Sequence, residues 1–128
     1  MAFQSQHRYA RISARKVRPL ADLVRGKFVD EALDILKYQP QRGARMLEKV
    51  IKSALANAQD PSQNPGQIVE EHNLFISEVC IDGGPMFKRM RPRARGMSFM
   101  IKKRMSHIRV GIDEVKKQNN NNCRLVSH

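Results

Sequence analysis

The sequence predicts an α+β fold, a small body of helices and strands that carries a long protruding β-hairpin. Three observations predict it. Apolar residues recur at helical spacing in three stretches between residues 13 and 58. Two strand-like stretches follow, at 73–81 and about 97–112. Between them lies Lys88-Arg89-Met90-Arg91-Pro92-Arg93-Ala94-Arg95-Gly96, with five basic residues at near-alternate positions and no acid. An isolated two-stranded ribbon is marginal in water. One so charged repels itself unless a polyanion surrounds it. The expected partner is nucleic acid, and a reaching arm suits folded RNA better than an open DNA groove.

The elements follow in order. Residues 1–12, with Phe3, Tyr9 and Ile12, read as an irregular start with a short strand. Ser13 offers an N-cap to a first helix, whose apolar face is Val17, Leu20, Ala21 and Val24. Arg15, Arg18, Asp22 and Arg25 line another face, and Gly26 is suited to the position just past the end. Asp30 is expected to cap a short second helix with Ala32, Leu33, Ile35 and Leu36 inward. Glu31 and Asp34 near its start and Lys37 near its end match the helix dipole. Pro40 closes that helix or opens the next. The third helix, about Gln41 to Ala58, turns Leu47, Val50, Ile51, Ala54, Leu55 and Ala58 to the core. Arg42, Arg45, Lys49 and Lys52 run along its other side and read as a solvated face. Residues 60–66 are a loop by composition. Asp82-Gly83-Gly84-Pro85 predicts a bulge or kink in the outgoing arm. On the return, Ile108, Val110 and Ile112 should be buried, with His107, Arg109 and Gly111 on the exposed face. Residues 1–115 form one domain, the hairpin spans about 82–108, and 116–128 read as a disordered tail.

Charge narrows the function. The 128-residue chain has a net charge of +12 and a pI near 10.4. Residues 1–27 hold seven basic and one acidic side chain, 28–80 five and eight, and 81–110 nine and one. A solubilising surface mixes both signs throughout. This segregation places two cationic elements on an ordinary body.

Other classes fall away. No apolar stretch is long enough to span a membrane, and no secretory signal is expected. Cys80 and Cys123 are far apart and have no second pair for zinc. Cys80 reads as a small buried hydrophobe in a reduced, cytosolic chain. His7, His72, His107 and His128 fall in no metal-binding spacing. Ser106 and His107 are neighbours on a strand and point to opposite faces, so they cannot act as a catalytic pair. No phosphate-cradling glycine pattern is present. The chain is expected to be no enzyme and to hold no cofactor or metal. A free-standing RNA- or DNA-binding regulator stays open as the alternative, although no dimer patch suits a DNA-binding ribbon.

Several blocks in fixed order resemble the bacterial large-subunit ribosomal protein L twenty-two family. They are 13–18 with 21–27, 32–36, 53–58, then Gly84-Pro85, Lys88-Arg89, Pro92-Arg93-Ala94 and Gly96, and finally Lys103-Arg104 with Ser106-His107-Ile108. Together they cover about residues 7–115. The resemblance implies three helices packed on a small three-stranded antiparallel sheet with one long hairpin. It also implies a structural constituent of the large subunit that clamps several rRNA segments during assembly. The body would sit near the peptide exit and the hairpin tip would line the nascent-peptide tunnel. Implied partners are large-subunit rRNA, neighbouring large-subunit proteins and the passing peptide, with no membrane and no homo-oligomer. The implied location is the cytoplasmic ribosome, with an organelle ribosome as a variant. The chain departs from the family pattern at Met97-Ser98 and Met105.

Charge pattern and resemblance together nominate the RNA-binding residues. They are Arg8, Arg11, Arg15, Lys16, Arg18, Arg25, Lys27, Lys88, Arg89, Arg91, Arg93, Arg95, Lys102, Lys103, Arg104 and His107. The tunnel-lining tip is expected at Met90, Arg91, Pro92, Arg93 and Ala94, and the resemblance makes Met86 to Arg89 modulators of macrolide sensitivity. Arginine forks suit phosphate, and guanidinium planes suit unpaired bases. Phe87 and Phe99 are the aromatic candidates for stacking, with a minor part expected.

Overall fold

The computed structural model describes residues 3–60, 62 and 69–115, so the expected disordered tail lies outside the described residues. The order is β1 (Phe3–Ala10), α1 (Ala14–Val24), α2 (Val29–Tyr38), α3 (Arg42–Gln59), a short 3₁₀ turn at Glu71–Asn73, β2 (Leu74–Pro92) and β3 (Ser98–Glu114). The strands form one antiparallel sheet in the order β1-β3-β2. The three helices cover one face of it, with α3 over β1 and β3 and α1 over β2. This is the expected α+β architecture.

The helical faces follow their sequence patterns. Val17, Leu20, Ala21 and Val24 of α1 are buried, as are Leu47, Val50, Ile51, Ala54 and Ala58 of α3, with Leu55 half-buried. They meet Ile76, Val79, Ile81, Ile108, Val110 and Ile112 of the sheet. Each valine, leucine or isoleucine among them is worth about 1.5–3 kcal/mol when fully buried. Ser13 is the N-cap of α1, but its hydroxyl makes no cap bond. Gly26 adopts φ +77°, and its N–H donates to the Ile76 carbonyl at 2.9 Å. The return bond, from Ile76 N–H to the Lys27 carbonyl at 2.9 Å, ties the α1–α2 connection along β2. Pro19 lies inside α1. It removes one backbone donor close to the helix start, where few helical bonds precede it.

Several expectations are corrected. The N-cap of α2 is Phe28, not Asp30. The Asp30 carboxylate instead meets His72 Nδ1 at 2.7 Å. The short starting strand is a full eight-residue edge strand. Gly111 is buried, and its carbonyl accepts a bond from Ser77 Oγ at 3.2 Å. Cys80 is half-buried and lies opposite Arg109, off the core face. One extra residue between Ile76 and Glu78 resets the alternation, so Val79 and Ile81 face inward and Cys80 does not. The Cys80 thiol donates to Glu78 Oε1 at 2.9 Å. That bond, with burial second, pushes its pKa up and keeps the thiol protonated.

Candidate nucleic-acid interface

Two further bulges shape the arm. One lies in β1 between His7 and Ala10, and the other in β2 between Gly83 and Met86, at the predicted kink. The last β1 pairing is Ala10 with Ser106. Beyond it β2 and β3 continue alone, from Met86 opposite Arg104 to Pro92 opposite Ser98. Seven residues per strand reach about 20 Å past the body. A turn over Arg93–Met97 closes the tip, with the Arg93 N–H donating to the Met97 carbonyl at 2.7 Å. Arg95 and Gly96 take φ +59° and +70° in succession. Glycine meets that demand freely, whereas Arg95 is held in a region L-residues seldom adopt.

The root of the arm is a packed joint. Tyr9 has φ +57°, and its N–H donates to His107 Nδ1 at 3.0 Å. The Tyr9 and His107 rings meet edge to face at 4.8 Å. On the other side a Cβ at Gly84 would lie 3.3 Å from His107 Nε2 and from the Met105 carbonyl group. His107, nominated as an RNA contact, is thus engaged at one nitrogen and closely approached at the other.

Clefts open on both sides of this joint, where the N-terminus of α1 faces the arm. The larger, about 1160 Å³, is lined by Arg11, Lys16, Arg42, Lys102, Lys103 and Arg104 and by no acid. Ile12, Pro19 and Phe87 supply its apolar wall. The smaller, about 520 Å³, is lined by Arg15, Arg18, Gly83, Gly84, Met86 and Arg104. Arg104 borders both. Six like charges around one cleft, beside the positive end of a helix dipole, favour an anion with several phosphates.

The structure therefore sorts the nominated residues. Arg11, Lys16, Lys102, Lys103 and Arg104 gather at the larger cleft, and Arg15, Arg18 and Arg104 at the smaller. Lys88, Arg89, Arg91, Arg93 and Arg95 run along the exposed arm to its tip, which also carries Met90, Pro92 and Ala94. Arg8 lies over the Tyr9 ring at 5.4 Å. Arg25 and Lys27 are engaged elsewhere. Arg25 bonds Asp22 at 2.8 Å and the Val79 carbonyl at 3.0 Å, which ties α1 to β2. Lys27 pairs with Glu31 at 2.6 Å.

Sequence reasoning missed Arg42. Periodicity grouped it with Arg45, Lys49 and Lys52, yet it opens α3 and reaches the larger cleft. Its companions differ in a way that one acid decides. Glu48, 8% exposed, holds Lys52 at 2.7 Å and Arg45 at 3.4 Å. The Lys52 hydrogen bond, partly opposed by burial, draws the Glu48 carboxyl below its ordinary pKa. No group of acids, histidines or cysteines fit to hold a metal occurs among the described residues. No described helix is long and apolar enough to cross a membrane.

Comparison with known proteins places the chain in a family. The chain is 68% identical over 114 residues to the large ribosomal subunit protein uL22 of Rhodopirellula baltica, covering 89% of this chain and 96% of that one. It is 54% identical over 107 residues to the protein of the same name from Caldicellulosiruptor saccharolyticus, covering 84% of each. Against the one from Syntrophus aciditrophicus the identity is 47% over 114 residues, 89% of this chain and 99% of the relative. Residues 5–113, which hold the joint, both clefts and the whole arm, match the family described as Ribosomal protein L22p/L17e, and the chain belongs to that family of structural ribosomal proteins, which are not enzymes.

Proposed function

We propose that the chain is an rRNA-binding structural component of the large subunit of the cytoplasmic ribosome. Its body rests on the subunit surface beside neighbouring ribosomal proteins. Its arm passes inward between rRNA segments and fixes their relative positions during assembly. The tip, Met90 to Ala94, lies against the tunnel that carries the nascent peptide.

One observation carries this reading. Between Met86 and Arg104 the two-stranded arm holds eight cations and no carboxylate. Among the described residues no third strand pairs with it and no helix is packed along it to offset the self-repulsion. Phosphate on more than one side supplies the missing stabilisation, which suits an arm enclosed by folded RNA and not a ribbon laid in one groove.

The test is sedimentation. After a high-salt wash of a cell extract, the chain should travel with the large subunit through a sucrose gradient. Release into the light fractions would favour a free-standing RNA- or DNA-binding regulator.

A further inference from the structure

The two faces of the arm are chemically different, and the register shows how. Directly opposed residues of an antiparallel pair project to the same side. Phe87 with Lys103, Arg89 with Ile101 and Arg91 with Phe99 therefore share one face. Met86 with Arg104, Lys88 with Lys102 and Met90 with Met100 share the other. Side-chain contacts agree with the assignment. Arg89 lies over the Phe87 ring at 5.1 Å and Arg93 over Phe99 at 5.8 Å. Arg104 Nη1 donates to Met86 Sδ at 3.1 Å across the opposite face.

We infer that the Phe87–Phe99 face is a stacking surface for unpaired RNA bases, which gives the arm a base-contacting side and a methionine side. This rests on the rRNA-binding reading above and names what one face of the arm grips. Phe87 and Phe99 are 47% and 54% exposed, on a segment remote from the core. The fold of this chain covers only about half of each ring and leaves the rest to water. Each ring has a guanidinium over it, so ring and cation form a positively charged unit. A base offers that unit a π-face, and its phosphate pairs with Arg91 or Lys103 on the same side. A peptide would have to bring many acids to match such a face, since the arm has none of its own. The two rings are about 13 Å apart along the strands, enough for separate bases. Phe87 also lines the larger basic cleft, so the face runs without a break into the cationic root.

The test measures binding of the full-length protein to protein-free large-subunit rRNA over a range of salt. The double variant Phe87→Leu with Phe99→Leu should lose about tenfold or more in affinity at every salt concentration, with an unchanged salt slope. Met90→Leu with Met100→Leu should stay within about twofold of wild type. Phe87→Trp with Phe99→Trp should bind at least as tightly as wild type, because a larger ring stacks better while a misfolded arm would not recover. Leucine and methionine variants that bind alike would overturn the inference. So would an affinity loss that tryptophan fails to restore. Failure of the wild type itself to bind rRNA would instead bring down the rRNA-binding reading on which the face depends.

Discussion

Ser106 is fully buried at the root of the arm, opposite Ala10, and its hydroxyl has no hydrogen-bond partner among the described residues. A buried, unsatisfied hydroxyl costs about 1–3 kcal/mol. Ser106→Ala should therefore leave stability unchanged or raise it by about 1 kcal/mol, and a lowered urea midpoint would contradict this. Glu48 behaves oppositely. Its folded pKa lies below the unfolded one, so its contribution is present above the unfolded value and lost as pH falls through the folded value. The gap in melting temperature between wild type and Glu48→Gln should be widest above about pH 5 and narrow progressively as the pH falls below the ordinary carboxylate range. A gap that widens with acid would reverse the assignment. At this scale the sequence was partly legible. The apolar stripe of α1 was visible because burial repeats at helical spacing. The place of Cys80 was not, because a single extra residue before Glu78 flips every later side chain, and no composition signal marks it.

The arm is two kinds of element joined end to end. From Leu74 to Gly83, β2 pairs with a β3 that is itself flanked by β1 and covered by helices. From Met86 to Pro92 the same strand has one neighbouring strand among the described residues, and its side chains are exposed. Amide exchange in the free protein should show the boundary. Protection should approach the global stability at Val79, Val110 and Ile112 and fall steeply beyond Met86 and Arg104. Uniform protection to the tip would mean that the ribbon is stable without RNA. The kink that begins the free ribbon could be read from Asp82-Gly83-Gly84-Pro85, because glycine and proline interrupt a ladder by their own chemistry. The length of β1 could not. Only Ala10 of that strand is fully buried, and its edge position is held by backbone bonds to β3 that leave little trace in side-chain pattern. The start of α2 was misplaced for a related reason. Asp30 has the right chemistry for a cap, but Phe28 is fixed by its bridge to Phe75, and the helix begins from there.

Across the whole molecule, position decides which charges are available. The sequence already separated basic ends from a mildly acidic middle. It could not separate cations held by carboxylates from cations left to meet phosphate, since that depends on which helix faces which cleft. Lys52 is held by buried Glu48, whereas Lys102 and Lys103 line a cleft with no acid. Association with rRNA through six or more phosphates should weaken by about 10³–10⁵ between roughly 50 and 200 mM salt. Each phosphate contact contributes about 0.7–0.9 to the slope of log affinity against log salt. Lys102→Gln and Lys103→Gln should each lower the slope by about that amount, while Lys52→Gln, which removes the same formal charge, should leave it unchanged. If all three lower it equally, net charge and not the cleft governs binding. If none does and the wild-type response is nearly flat, the electrostatic account of the arm fails. A slope that follows only the cleft lysines would mean that the fold selects the cations that meet RNA, using Glu48 to withdraw those on the far side of α3.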